Sequence, residues 1–228
     1  MQDKSLYNMN EVGVESAIST NKVLKNTYML LGITLLFSAL TAGISMAMGL
    51  GQGAALVLCL VGFGLLFVVN RTADSSKGLI AIFAFTGVMG ASIGPMLNHY
   101  LAMPNGPALV MQALGGTAIV FMSLSAYVLT TKKDFSFLGG FLFVGLMVVI
   151  VGMVGAMIAA FFFGVDVSFF SLVMSGVIVL LMSGFILFDT SRIITGGETN
   201  YIMATVSLYL NIYNLFTALL HIIGATDD

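Results

Sequence analysis

Seven apolar stretches, separated by connectors of only a few residues, constrain this chain more than any motif does. They lie at about 27–50, 53–69, 78–103, 108–131, 137–162, 168–190 and 202–223, and each comes near the ~20 apolar residues that a helix needs to cross a bilayer. A segment of that kind satisfies its backbone polar groups internally, which inside hydrocarbon leaves the α-helix as the solution for a single span. The composition agrees: the 228 residues are 59% hydrophobic and 8% charged, with a mean hydropathy of +1.07. Soluble domains carry about 25% charged residues. The expected fold class is therefore an all-α membrane protein, a seven-helix transmembrane bundle over residues 27–228 preceded by a polar tail, 1–26, with no soluble domain. That tail carries no turn or helix signal strong enough to fold alone.

Charge sets the expected orientation. With the tail on one side and the connectors alternating, the eight Lys and Arg fall in the tail (Lys4, Lys22, Lys25), the second connector (Arg71, Lys77), the fourth (Lys132, Lys133) and the sixth (Arg192). All of them land on one side. Cytoplasmic loops carry the Lys/Arg excess, so the tail is expected in the cytoplasm, and an odd number of spans puts the C-terminus, with Asp227 and Asp228, outside. The long polar stretch before a full-length apolar segment does not match a cleaved signal peptide.

Several features that often mark chemistry have simpler readings here. Cys59 is alone within the second span, which excludes an intramolecular disulfide and a cysteine metal cluster. His99 and His221 fall near the outer ends of their spans, on the side of Asp166, but without the short ligand spacing of a metal site. "GASIG", Gly90 to Gly94, fits the pattern of a serine-hydrolase elbow, which requires a strand-to-helix turn. Within a span, small residues four apart serve close helix approach instead. No catalytic set converges, and the chain is not expected to be an enzyme, to hold a cofactor or metal, or to bind nucleic acid.

Two features are harder to dismiss. The third span reads "GASIGPMLNHY", where Pro95 is expected to break the helix and free a backbone carbonyl, with Asn98 following within a turn. In the seventh span Ser207, Asn211, Asn214, Thr217 and His221 recur at intervals of four, three, three and four, one face of a helix. A polar stripe through hydrocarbon must point into the bundle, either to bond neighbouring helices or to line a hydrated path.

Asp189, in "FILFDTSRII", belongs with that stripe. A sixth helix running on to the glycines at 196 and 197 places it about 9 Å inside the helix end, and Asn211 lies about 15 Å into the seventh span from the same side. Two readings stay open. Asp189 either sits at the interface and pairs with Arg192 one turn on, or is a buried carboxylate facing the stripe, with Arg192 or Arg71 as its counter-charge. An ionisable group inside a membrane suggests function by default.

At these residues the chain resembles a known family. "NKVLKNTYMLL", "GASIGPMLNHYL", "SAYVLTTKKDFSFLGG" and "FDTSRIITGGETNYIMATVSLYLNIYNLF" are similar to the Bax-inhibitor membrane protein family in its bacterial branch, and the resemblance covers essentially the whole chain. It implies a multi-pass protein of the bacterial inner membrane that binds the membrane-embedded, ATP-dependent protease FtsH, modulates it, and is itself a slow substrate. Other members resemble pH-sensitive calcium leaks in which two acidic residues on the last two spans share a proton. Asp189 stands at the first of those positions. Asn211 stands at the second, a departure, since an amide shares no titrating proton. Protease modulator and cation leak are thus the competing readings, with FtsH, the lipid bilayer and calcium ions as the implied partners.

Overall fold

The computed structural model describes the backbone of residues 2–226 and the side chains of residues 20–226. Asp227 and Asp228, and the side chain of Lys4, lie outside the described residues. Within them the chain forms seven long helices: α1 (Gln2–Ala47), α2 (Gln52–Thr72), α3 (Lys77–Leu101), α4 (Gly106–Thr131), α5 (Gly139–Phe163), α6 (Ser168–Ile194) and α7 (Tyr201–Ala225). A single 3-10 turn, Ser136–Leu138, leads into α5. All seven are long and apolar enough to span a membrane, the spanning part of α1 being Thr20–Ala47. One difference from the sequence reading concerns the tail, whose backbone continues α1 back to Gln2. Extending a helix already nucleated by a span avoids the nucleation cost that weak propensity alone does not overcome.

Local chemistry marks several helix ends. Asn200 caps α7, its side-chain oxygen accepting from the amides of Ile202 and Met203 at 2.9 and 3.2 Å. Gly164 after α5 and Gly196 after α6 take left-handed φ values of +63° and +77°, the conformation that closes a helix and that glycine adopts without strain.

The bundle is built around α3 and α7, its most buried helices. Helix α3 packs against α1 and α2, and α7 against α6, α4 and α1, while α5 rests on α6. Apolar side chains cover the outside, as with Phe161, Phe67 and Leu36, and hydroxyls fill much of the inside: Thr34, Thr86, Thr190, Ser191 and Thr205 are fully buried. Lipid is as apolar as leucine, so helix association rests on close packing and interhelical hydrogen bonds. Both are visible. A Cβ on Gly90 of α3 would run into the Ser38 backbone oxygen and the Thr41 hydroxyl of α1, and one on Gly94 would meet Ser45. Between α5 and α6 the relation is reciprocal, Leu181 covering Gly145 and Leu142 covering Gly184.

The helix ends that carry Arg71, Lys77, Lys132, Lys133 and Arg192 are tied together by contacts between connectors. Asn200 donates to Asp74 Oδ1 at 2.7 Å, and the Phe135 amide donates to Ser191 Oγ at 3.1 Å. We call this the basic end of the bundle.

Candidate functional site

Helices α6 and α7 run antiparallel from the 195–200 connector, so residues at similar distance from it meet. Asn211 Nδ2 donates to Asp189 Oδ2 at 2.7 Å, and both side chains are buried, at 6% and 8% exposure. The interfacial reading of Asp189 is thereby replaced by the buried one. The amide fits this place because it offers two donors to a carboxylate that only accepts when ionised.

Neither expected counter-charge forms an ion pair with Asp189. Arg192 pairs with Glu198 at 3.4 Å, also reaches the Gly197 carbonyl, and stacks over the Phe188 ring at 5.6 Å. Arg71 is exposed at the end of α2, and the Arg192–Glu198 contact is the one ion pair among the described residues. The reason is directional. Side chains near a helix terminus lean toward the interface where a guanidinium keeps its water, whereas Asp189 points inward.

The polar stripe of α7 divides. Asn211 bonds to Asp189, and ten residues on, His221 Nδ1 lies 2.9 Å from Ser175 Oγ of α6. Between these two rungs Asn214 donates to the Leu210 carbonyl and Thr217 to the Asn214 carbonyl of their own helix. Ser207 is half-buried. The stripe therefore bonds α6 at two levels rather than along its whole length.

Pro95 also differs from expectation. Helix α3 is continuous through it, and Pro95 is buried. Gly94 seats this part of α3 directly against α1, and that packing holds a helix which proline alone would break. Asn98 Nδ2 donates to the Met46 carbonyl at 3.1 Å, satisfying an acceptor at the end of α1. Ser92 is held as well, donating to the Met89 carbonyl and lying 3.0 Å from the Tyr213 hydroxyl; "GASIG" is a packing surface.

A second polar face of α7 was not read from the sequence. Tyr209 Oη lies 2.7 Å from Ser38 Oγ of α1 and donates to the Thr86 carbonyl of α3 at 3.3 Å. One turn on, Tyr213 reaches Ser92, and one turn back, Thr205 donates to the Thr27 carbonyl of α1 at 3.3 Å. Asn211 and Tyr209 stand about 200° apart around the helix, so α7 is bonded on opposite faces to α6 and to α1 with α3. The spacing of four from Thr205 to Tyr209 to Tyr213 was the available signal, and tyrosines at span positions read more easily as apolar bulk.

The chain matches the family described as "Inhibitor of apoptosis-promoting Bax1" over residues 20–228. It is 55% identical over 216 residues to an uncharacterized membrane protein of Vibrio cholerae, covering 94% of each chain. To the Escherichia coli protein named "Modulator of FtsH protease YccA" it is 51% identical over 210 residues, 92% of each chain. An uncharacterized protein of Pseudomonas aeruginosa is 46% identical over 224 residues, covering 98% of this chain and 97% of its own. Seven helices long and apolar enough to cross a membrane, and a family match that runs through all of them, place this chain in the Bax-inhibitor family.

Proposed function

We propose that this chain is a protein of the bacterial inner membrane that binds the FtsH protease, modulates its action on other membrane proteins, and is degraded by it slowly. The observation that carries this reading is the 51% identity, over 92% of both chains, to a relative named as a modulator of that protease. A relative of the same identity is named as an inner membrane protein. The geometry supports a protein that resists extraction. Helix α7 is hydrogen-bonded to α6 through Asp189 and His221 and to α1 and α3 through Tyr209. Pulling it out breaks both sets in a medium without water to replace them.

The test is co-purification from mild detergent with FtsH as the probe, and the reading fails if the natural chain does not retain the protease above a membrane-protein control. The tail is the proposed handle. Its roughly 26 residues reach about 85–90 Å when extended, enough to thread into a cytoplasmic unfoldase. Deleting residues 2–20 is expected to lengthen the half-life in cells containing FtsH; an unchanged half-life moves the handle to the "TKKDFS" connector.

A second reading, a cation leak centred on Asp189, is favoured by one observation: the carboxyl is buried and hydrogen-bonded to Asn211 of α7, which by resemblance stands where other members carry a second acid. The proton-sharing pair is therefore incomplete.

A further inference from the structure

The connector between α4 and α5, named above only as a fallback handle, gathers charge and aromatic surface on which neither reading depends. Lys132 and Lys133 are both exposed, and neither pairs with a carboxylate among the described residues. Lys132 closes α4 at φ +52°, the one positive φ of a described residue other than glycine, where a glycine would be unstrained. Its amide donates to the Val128 carbonyl at 2.8 Å. A lysine held in that conformation keeps a charge where the fold favours none. Lys133 Nζ stands 5.7 Å over the Tyr127 ring and donates to its hydroxyl at 3.2 Å. Asp134, between the lysines and the 3-10 turn, is turned to Ser136, whose hydroxyl and amide both bond its Oδ1. Those bonds hold its carboxyl below the usual carboxylate range.

Rings continue the patch. Phe135 lies 6.1 Å from Tyr127 and 6.3 Å from Phe137. Phe137 in the 3-10 turn and Phe141 in the first turn of α5 are 77% and 72% exposed. Phe188, which carries the Glu198-paired Arg192 on its face, rests on Gly139 at the start of α5. The connector is also fixed in place, through the Phe135 amide on Ser191.

We propose that this surface binds the phosphate headgroup of an anionic phospholipid in the leaflet at the basic end. The lysine amines meet the phosphate, and Phe137 and Phe141 enter the acyl region beneath it. Aromatic and cationic side chains together are what the interface selects, and anionic headgroups attract cations close to the membrane surface. The partner is a lipid rather than a soluble protein because the apolar half of the patch continues directly into the exposed apolar side of α5, with Phe141, Val144 and Val148, which a soluble partner does not reach. A membrane-embedded protein partner is an outcome of the test.

The test uses the full-length protein in detergent, with phosphatidylglycerol and chain-matched phosphatidylcholine as probes and retained lipid counted by native mass spectrometry. Phosphatidylglycerol is expected to bind more tightly, by about fivefold for each lysine that contributes and up to about 25-fold for both. Lys132→Gly removes one charge while relieving the left-handed backbone, so the fold is retained; with Lys133→Gln it is expected to abolish the preference. Lys133→Arg keeps the charge and keeps the preference. Equal binding of the two lipids by the natural chain overturns the proposal, as does a preference that survives Lys132→Gly with Lys133→Gln. Loss of FtsH co-purification in that double variant with lipid binding unchanged also overturns it, and assigns the surface to a protein partner.

Discussion

Gly90→Ala adds one carbon at the closest approach of α3 to α1, and the structure sets its cost. The new Cβ would overlap the Ser38 carbonyl oxygen, the Thr41 hydroxyl and the Ser38 hydroxyl. The first of these is backbone, so a rotamer change does not clear it and α1 must move. Overpacking of this kind costs about 1–3 kcal/mol, and an obstacle of backbone puts it at the upper end. Moving α1 also stretches the 2.7 Å contact between Ser38 and Tyr209, a further ~0.6 kcal/mol, up to about 1.7, for a bond between spans. Alanine returns about 1 kcal/mol of helix propensity. The net expectation is a loss of roughly 3 kcal/mol. Gly115→Ala is the control: it sits mid-helix in α4 with nothing within 4 Å of the added carbon, so it keeps only the propensity gain. Unfolding in mixed micelles with a rising fraction of denaturing detergent, followed by pulse proteolysis, measures both. A Gly90→Ala protein as stable as the natural one, or a Gly115→Ala protein equally weakened, would refute the reasoning that close backbone approach holds α3 on α1.

Reporters fused before the first span and after residue 228 are expected to be active in the cytoplasm and outside it, respectively; a cytoplasmic C-terminus contradicts the orientation drawn from the eight Lys and Arg. In dye-loaded liposomes between about pH 6 and 8, the natural chain is expected to show little pH-dependent calcium flux, because one carboxyl facing an amide has no coupled second titration. Asn211→Asp creates the pair and is expected to add both flux and pH dependence, which Asp189→Asn then removes; strong pH-gated flux from the natural chain promotes the leak reading instead. Asn200→Ala loses the α7 cap and the Asp74 contact together, an expected cost of about 1–2 kcal/mol by the same micelle assay, and an unchanged midpoint shows that the connector clamp is dispensable.

What the sequence determined by itself is the set of properties that depend on consecutive residues. Span length and number follow from runs of apolar residues, because hydrocarbon thickness is fixed, and the helices of the structure begin and end within a few residues of those runs, apart from the extension of α1. The polar face of α7 was legible for the same reason, since side chains at intervals of three and four share a face whatever lies opposite. Asp189 and Asn211 could be matched in depth by counting from a shared connector, and they do meet.

Tertiary structure decided which partners the polar groups of the site take. Arg192 lies one turn from Asp189 in sequence yet pairs with Glu198, because the carboxyl faces the bundle and the guanidinium faces the interface. Pro95 removes a backbone donor in any helix, but whether α3 breaks depends on α1 packed against Gly90 and Gly94. Tyr209 and Ser38 are 171 residues apart and 2.7 Å apart in space, a contact that no local spacing encodes. In a span each unmet polar group is costly, so pairing is demanded by the sequence while its choice waits on which helix faces stand together, and that is set by where small residues allow backbones to approach.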